Sequence, residues 1–403
     1  MRKEQRRRKP GVGWLVLPVI LLLMFGLGGC GDSEPAEESR IPQLDGLTHE
    51  STMELDYAEG FDIYNYSDGF QVIDVHDAQT GSSVQYLLVP EGGSIPGNLP
   101  EEMIVLQKPL DHIYLAASAS MALISAIDGL DAVAFTATKE SDWYLDEAKE
   151  AMESGAIRYA GKYSQPDYEM LLDDGCDLAV ESTMILHTPT VQEKLEGLDI
   201  PVFIDQSSYE SHPLGRSEWV RVYGALLDKG EEAEAFFDEQ KEILAQLDGI
   251  ENTGKTVAFF YLNSQDQAVV RASDDYIPKM IEIAGGKYVF TDLENPNKDS
   301  RSAVVKMSME EFYEQASDAD YLIYNANIES PLTSVDDLLQ KSELFSKFKA
   351  VKNDNVWTTD KYLYQATDIM GQLIQDIHVM LMDGDESKMT FLKKVPINAS
   401  GGE

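Results

Sequence analysis

The chain has 403 residues and a formal net charge of −39. A surface this acidic repels the phosphate backbone, so the composition excludes nucleic-acid binding. The two cysteines, Cys30 and Cys176, are too few for a disulfide framework or a cysteine-based zinc site.

The N-terminal segment has the organisation of a secretion signal. Six basic side chains within residues 2–9 precede a mainly apolar run, 12–27, which is followed by Gly28, Gly29 and Cys30. A cysteine after small residues resembles the lipobox of bacterial lipoproteins, in which the lipidated thiol becomes the mature N-terminus. An uncleaved transmembrane anchor or an ordinary signal peptide is the alternative, because the run is near the lower length limit for a membrane span.

From these features we expect a signal peptide over residues 1–29 and a lipid anchor on Cys30. The remainder of the chain would then lie at the extracytoplasmic face of a cell membrane, in a bacterium of the Gram-positive type. Because residues 1–29 carry six basic side chains and one acidic one, that remainder is more acidic than the whole chain.

Two segments of different character follow the signal peptide. Residues 30–50 are rich in Glu, Ser, Pro and Gly, which predicts a flexible tether. Residues 51–103 show alternating apolar patterns, as in 61–64 and 70–75, separated by the turn sequence Ser67-Asp68-Gly69. This second segment predicts a β-rich extension packed on the first lobe.

The rest of the chain predicts two α/β lobes. Short apolar strands alternate with helices over 104–228, and the same order restarts over 251–393, which is typical of mainly parallel central sheets. Between them, residues 229–250 contain apolar positions at helical spacing, so one long helix joins the lobes. An ordinary amphipathic surface helix fits this pattern equally well. Residues 394–403 are predicted to be a flexible tail.

Motifs for catalysis or metal binding do not occur in the sequence. There is no Gly-x-Ser-x-Gly, His-Glu-x-x-His or Cys-x-x-Cys sequence. The histidines lie far apart in the chain, so no local spacing for a metal site is visible: His49, His76, His112, His187, His212 and His378. The sequence therefore predicts a protein that is not an enzyme and has no intrinsic cofactor or metal.

Three segments resemble one protein family. Gly161–Leu172 (GKYSQPDYEMLL) with Asp177–Val180, and Val305–Phe312 (VKMSMEEF) with Ala319–Ile323, are similar to motifs of periplasmic-binding-protein family 2. His212–Trp219 (HPLGRSEW) resembles the corresponding part of Gram-positive members. These are the iron-siderophore and cobalamin (class III) substrate-binding proteins of ABC importers, and the resemblance covers roughly residues 105–382.

The resemblance implies a fold with the ligand held in a cleft between two lobes joined by one long helix. In the family, one glutamate on each lobe docks an arginine cluster of the permease, and the matching positions here are Glu169 and Glu310. An exposed carboxylate can accept a pair of hydrogen bonds from arginine, which makes this role chemically reasonable. Each glutamate is also favourable in the first turn of a helix, and Glu311 is an alternative for the second position.

The cleft is expected at loops that follow the carboxyl ends of strands. Aromatic side chains there would stack on a flat chelate or macrocycle, and Arg271 would pair with an anionic ligand. Met184 and His187 are also suitable as axial ligands of haem or a corrinoid. The candidate ligand-binding residues are Ser118, Ser120, Met121, Lys139, Trp143, Tyr144, Thr183, Met184, His187, Tyr209, Tyr261, Asn263, Arg271, Tyr276, Asn325, Tyr362 and Tyr364.

The sequence therefore predicts a monomeric substrate-binding lipoprotein of an ABC importer. Its expected ligand is a small-molecule metal chelate, namely a ferric siderophore, a corrinoid or haem, and its expected partners are the permease with its ATPase. The alternative is a surface adhesin or signalling ectodomain that kept the binding-protein fold. A metallochaperone or surface enzyme is a third possibility, which the lack of catalytic and metal-binding motifs in the sequence disfavours.

Overall fold

The computed structural model describes residues 41–77, 80–294, 303–326 and 330–397. The predicted signal peptide, the predicted lipidation site Cys30 and residues 30–40 of the predicted tether lie outside these ranges. Every helix among the described residues is too short or too polar to span a bilayer.

The first described strands form a sheet ahead of the two lobes. Neighbouring strands in it are antiparallel, except that β4 and β5 run parallel. Asp68 and Gly69, in the predicted turn between β2 and β3, have positive φ angles of 60° and 78°, which Gly and Asp tolerate. The strands are β1 (His49–Thr52), β2 (Phe61–Tyr66), β3 (Gln71–His76), β4 (Ser83–Val89) and β5 (Ile104–Gln107).

This sheet extends beyond the predicted segment 51–103 at both ends. Strand β1 begins at His49, inside the predicted tether, and pairs with β2. Strand β5 pairs with β4 rather than with the first lobe, although residues 104–107 were predicted to belong to that lobe. We correct the extension to residues 49–107, because strand pairing, which local sequence does not reveal, assigns β1 and β5 to this sheet.

Aromatic side chains join the extension to the first lobe. The rings of Tyr86 and Phe203 have centroids 4.8 Å apart, and the Tyr86 hydroxyl donates a hydrogen bond to the Val202 carbonyl at 3.2 Å. Phe61 packs edge-on against Trp219 at 5.1 Å. Aromatic contacts bury large apolar areas, so the extension shares one hydrophobic core with the lobe.

The first lobe is built on a parallel sheet in the order β12-β11-β6-β7-β8. Apart from the edge strand β8, its strands are short and mainly apolar, as is typical of strands buried on both faces. Helices of the lobe are α1 (Ser120–Ala126), α2 (Asp146–Glu153), α3 (Tyr168–Asp173) and α4 (Pro189–Glu196). The strands are β6 (Ile113–Leu115), β7 (Val133–Thr136), β8 (Arg158–Tyr159), β11 (Leu178–Ser182) and β12 (Val202–Asp205), with a hairpin of β9 (Gly161–Lys162) and β10 (Gln165–Pro166).

Two helices close the predicted first lobe, 104–228, namely α5 (Pro213–Glu218) and α6 (Val220–Leu226), and the long helix α7 (Gly230–Ala245) follows them. Glu231 and Glu232 in the first turn of α7 suit the helix dipole. A Cβ atom on Gly224 of α6 would lie 2.7 Å from Cβ of Ala233, so α6 and α7 pack closely. The long helix thus begins against the first lobe and ends immediately before the second.

The second lobe has a mixed sheet in the order β16-β14-β13-β17-β18-β19, in which β13, β17 and β18 are parallel. Its helices are α8 (Tyr276–Ile283), α9 (Met309–Ala316), α10 (Val335–Lys341), α11 (Lys349–Lys352) and α12 (Met370–Leu381). The strands are β13 (Thr256–Leu262), β14 (Ala268–Arg271), β15 (Lys287–Tyr288), β16 (Val304–Met307), β17 (Tyr321–Tyr324), β18 (Val356–Thr359) and β19 (Leu392–Lys394).

The end of the second lobe differs from the prediction. Residue 394 was assigned to a flexible tail, but Lys394 lies in β19 and pairs with Trp357 of β18. Val395 is fully buried. A strand at the edge of the sheet therefore includes the start of the predicted tail. The last six residues of that tail, 398–403, lie outside the described ranges.

Candidate functional site

A buried carboxylate organises the carboxyl edge of the first lobe. Asp205, at the end of β12, accepts hydrogen bonds from the Ser207 N–H at 2.8 Å, from the Ser120 hydroxyl at 2.7 Å and from the Tyr223 hydroxyl. These bonds fix the start of the loop that carries Tyr209. The Tyr209 hydroxyl reaches the Thr183 hydroxyl at 3.4 Å, so two predicted cleft residues lie together.

Two arginines from different lobes meet on the ring of Tyr276. The guanidinium carbon of Arg216, in α5, lies 4.2 Å from the ring centroid, and that of Arg271 lies 5.9 Å from it. Arg216 also donates a hydrogen bond to the Ser208 carbonyl at 3.1 Å, and its Nε is buried without a partner among the described residues. Cation–π contact of this kind holds a guanidinium in place while leaving N–H groups for an anion.

Asp275 is the acidic neighbour of this arginine pair. Its Oδ2 lies 3.5 Å from Nη1 of Arg271, and its pKa is raised by burial, with the charge of Arg271 opposing that rise. The guanidinium groups of Arg271 and Arg216 both lie near this buried carboxylate, and the exposed Asp274 adds a second carboxylate beside it. Arg216 was not among the predicted ligand residues; only its place in the HPLGRSEW motif marked it.

Gln365 joins the lobes on another side. Its Oε1 accepts the Tyr144 N–H at 2.8 Å, and its Nε2 donates to the Asp142 carbonyl at 3.0 Å. The Tyr364 hydroxyl reaches the same carbonyl at 3.2 Å, and the rings of Tyr144 and Tyr364 are 6.1 Å apart. Sequence analysis missed Gln365, because a glutamine in a loop carries no recognisable pattern until its partners are known.

Four predicted ligand residues are corrected by their burial. Their side chains expose at most 2% of their surface, so they pack inside the lobes and do not present themselves to a ligand: Ser120, Met121, Trp143 and Asn325. Ser120 bonds Asp205, and Met121 and Trp143 belong to the main hydrophobic core. Only Asn325 directly follows a strand, whereas Ser120 and Met121 lie in α1 and Trp143 lies seven residues beyond β7, and the sequence pattern contained no information on which way each side chain points.

Of the remaining candidates, Tyr276 is buried and only 7% exposed, whereas the others with described side chains are exposed or half-buried, with Met184 46% and Tyr364 39% exposed. Asn263 is engaged locally: its Oδ1 accepts the N–H groups of Gln265 and Gln267 at 3.0 Å, which stabilises the β13–β14 turn. The side chain of Tyr362 lies outside what the structure describes. Exposed or half-buried candidates are Ser118, Lys139, Tyr144, Thr183, Met184, His187, Tyr209, Tyr261, Asn263, Arg271 and Tyr364.

The two predicted docking glutamates occupy the same helical position. Glu169 is the second residue of α3 and Glu310 the second residue of α9, and both are exposed. Each helix has a side-chain N-cap, Asp167 in α3 and Ser308 in α9. Glu311 instead accepts the Ser308 N–H at 2.8 Å in a capping box, which uses its carboxylate. The geometry therefore favours Glu310 over Glu311.

Two cavities lie between the lobes. The larger cavity, of about 620 Å³, lies between His212 and α8, and Asp275 also lines it. The smaller, of about 390 Å³, lies between Tyr144 and Phe391. The larger has a volume typical of ligand sites. However, none of the predicted residues within the described ranges lines it, so the arginine pair beside it is the stronger indication of ligand chemistry.

Asp111, His112 and Asp177 come together at the other end of the first sheet. Their nearest ligand atoms lie within 4.8 Å of one another. The imidazole of His112 is 2.7 Å from Asp111, and Asp177 accepts the N–H groups of both residues at 2.8 and 3.0 Å. These contacts are sufficient to explain the cluster as a cap on the start of β6.

Comparison with known sequences agrees with this architecture. The sequence model of the family described as "Periplasmic binding protein" matches residues 115–363, which is more than half of the chain. An uncharacterized lipoprotein of Methanocaldococcus jannaschii is 23% identical over 352 residues, covering 81% of each protein.

Solved structures show the same fold at low sequence identity. A periplasmic haem-binding protein of Vibrio cholerae aligns with a TM-score of 0.53 at 18% identity, covering 67% of this chain and 98% of that protein. A protein of an Fe3+-hydroxamate transport system from Saccharomonospora viridis aligns with a TM-score of 0.52 at 20% identity, covering 68% and 93% respectively. The chain belongs to the periplasmic binding protein family, the substrate-binding proteins of ABC transporters, as its motifs predicted.

Proposed function

We propose that this protein captures a negatively charged metal chelate between its lobes and delivers it to the permease of an ABC importer. The observation that carries the proposal is the pair Arg216 and Arg271 on the ring of Tyr276. Because the two arginines come from different lobes, an anion between them would hold the lobes together. The family binds and transports substrates, so no catalytic step is assigned.

The two guanidinium groups favour an anionic ligand over a neutral corrinoid. Electrostatic attraction grows inside a cleft of low dielectric, where Arg216 and Arg271 lie near the buried carboxylate of Asp275. The other carboxylate, that of Asp274, is exposed to solvent and therefore screened. Ferric citrate, ferric catecholates and haem carry carboxylate or phenolate oxygens that accept paired hydrogen bonds from arginine. Similar folds include a haem-binding protein and a protein of an Fe3+-hydroxamate transport system, and their ligands support the choice of a metal chelate for this proposal.

Replacing Arg216 with alanine is expected to weaken binding of an anionic chelate at least roughly tenfold, because one charge-assisted contact is lost. The full-length chain in detergent would be titrated with ferric citrate, haem, ferrioxamine and cyanocobalamin, with binding read by tryptophan fluorescence. The matched control is Arg158→Ala. It removes an exposed arginine of β8 that pairs with Asp174. Tightest binding of cyanocobalamin, unchanged by Arg216→Ala and Arg271→Ala, would contradict the proposed ligand class.

We also propose that Glu169 and Glu310 contact the permease. Their equal positions in α3 and α9, one on each lobe, give two exposed carboxylates whose separation reports the arrangement of the lobes. Arginine side chains on the permease would donate paired hydrogen bonds to these carboxylates. The relatives named as lipoproteins support a lipid anchor on Cys30, which would hold the protein on the extracytoplasmic side, beside its permease.

The double variant Glu169→Ala, Glu310→Ala is expected to lose transport at least roughly tenfold while keeping ligand affinity, because both carboxylates are exposed in the first turns of α3 and α9 and are not part of the arginine pair on Tyr276. Uptake of iron-55 citrate into proteoliposomes that hold the permease and its ATPase would measure transport. The control pair Glu193→Ala, Glu314→Ala removes the same charge from exposed positions of α4 and α9. Equal loss of uptake in both pairs would refute specific docking.

A further inference from the structure

The N-terminal extension reaches the cleft through two buried glutamates. Glu218 accepts the backbone N–H groups of Asp56, Tyr57 and Ala58, each at 2.7 Å. Glu210 accepts those of Glu59 and Gly60 at 3.0 and 2.9 Å. We name these two side chains the carboxylate clamp. It binds five consecutive residues of the extension, and the family match begins only at residue 115, well after them.

The carboxylate clamp encloses helix α5, which carries Arg216. Glu210 precedes the helix and Glu218 is its last residue. With about 100° of rotation per residue, Arg216 and Glu218 point to nearly opposite sides of the helix. Accordingly, Glu218 contacts the extension while Arg216 contacts Tyr276 of the second lobe. Helix α5 therefore lies between the extension and the arginine pair.

Contacts at the start of α5 are equally close. The ring of Tyr57 stacks on that of His212 with centroids 4.3 Å apart and planes 13° apart. His212 caps α5, since its Nδ1 accepts the Leu214 N–H at 3.2 Å. Burial, and then the charge of Lys279, lowers the pKa of His212 to about 4, so the ring is neutral and accepts this bond at neutral pH. A Cβ atom on Gly215 would lie 3.1 Å from both Glu210 Oε2 and the Tyr57 carbonyl.

From these contacts we propose that residues 56–60 of the extension are a positioning element of the ligand site. Through the carboxylate clamp and Tyr57 they hold the segment 207–218, with Tyr209 and Arg216, in the arrangement that receives the ligand. Preorganised groups bind more tightly because they lose less conformational freedom on binding. The part of this proposal that concerns ligand affinity rests on the proposed function, whereas the part that concerns the segment 207–218 does not.

Tyr57→Ala tests the proposal without removing any backbone donor of the clamp. In the full-length chain, amide hydrogen exchange over 207–218 should become at least roughly tenfold faster. Affinity for ferric citrate, measured well below the melting temperature, should fall roughly tenfold. Tyr57→Phe keeps the stacked ring and should restore both values. Tyr57 is only half-buried, so the alanine variant is expected to fold.

Val72→Ala is the control for a purely structural effect. Val72 is fully buried in β3 and faces away from Ile73 and Val75, which pack on the first lobe. This variant should lower the melting temperature without changing exchange over 207–218 or affinity. Unchanged exchange in Tyr57→Ala would overturn the proposal, and so would faster exchange with full affinity retained. Absence of ferric citrate binding by the wild type would contradict the ligand assignment instead, and the exchange result would still decide whether residues 56–60 hold this segment.

Discussion

Glu181→Gln is expected to make the protein more stable at pH 8 and above, while leaving its stability near pH 4 almost unchanged. Glu181 lies in β11 with no exposed surface, and both carboxylate oxygens are buried without a hydrogen-bond partner among the described residues. Its sheet neighbour on β12 is Ile204, an apolar side chain. Burial raises the pKa of Glu181 from 4.5 to about 8, so the neutral acid is the form that the fold accepts.

The direction of the pH dependence follows from this raised pKa. The unfolded chain releases the proton near pH 4.5, whereas the folded chain keeps it until about pH 8. Stability that is fully present below pH 4.5 is therefore lost as the pH rises towards and through 8. A difference of this size corresponds to roughly 5 kcal/mol as an upper bound, at about 1.4 kcal/mol per pH unit.

Urea unfolding at pH 5, 6, 7, 8 and 9 would measure this dependence. The wild type should lose free energy of unfolding across the series, and Glu181→Gln should lose much less, because glutamine has the shape of the neutral acid and no proton to release. Glu193→Gln, at an exposed position of α4, is the matched control and should follow the wild type. If the free energy of unfolding changed with pH equally in Glu181→Gln and in the wild type, the prediction that Glu181 is a buried carboxyl group without a partner among the described residues would be contradicted.

Glu218→Ala is expected to cost about 3–5 kcal/mol of unfolding free energy, the range seen when one partner of a buried ion pair is removed. Glu218 has no exposed surface, and its carboxylate lies 3.0 Å from Nη1 of Arg221, which is 5% exposed. The substitution leaves that cation short of its buried partner and three backbone N–H groups of the extension without an acceptor.

Glu234→Ala provides the control on the same arginine. Glu234 also pairs with Arg221, at 3.1 Å, but its side chain is 51% exposed. Exposed pairs contribute little, so this variant should lose less than about 1 kcal/mol. Chemical unfolding at neutral pH would compare the two. Equal losses would contradict the prediction, because they would mean that Glu218 contributes no more than an exposed charge.

Much of the fold was predictable because it depends on local patterns. Alternation at period two marked the strands of the extension, and the repeated order of strand and helix marked both α/β lobes. The family was recognised from short motifs, and residues 115–363 match it. The positions of Glu169 and Glu310 in the first turns of α3 and α9 also follow from local sequence, since an N-cap residue precedes each helix.

Side-chain direction at the strand ends was not predictable. Ser120 and Trp143 lie in segments that end near the cleft, yet one bonds Asp205 and the other packs in the core. Arg216 lies in one of the family motifs but was not predicted as a ligand residue. Its guanidinium group contacts the ring of Tyr276, sixty residues later in the chain. Gln365 likewise bonds residues more than 220 positions away. The contacts of Arg216 and Gln365 depend on the relative placement of the two lobes, whereas that of Ser120 depends on packing within the first lobe.

The sequence by itself determined the class of fold, the order of its elements, the family and the helical positions of Glu169 and Glu310, because periodicity, capping and motifs act over a few residues. The tertiary structure alone decided which strands belong to the extension, which side chains meet between the lobes, and what Glu210 and Glu218 do. Glu218 bonds backbone groups 160 to 162 positions earlier. Backbone N–H groups are present in every residue except proline, so no sequence pattern can identify which of them a buried carboxylate will accept.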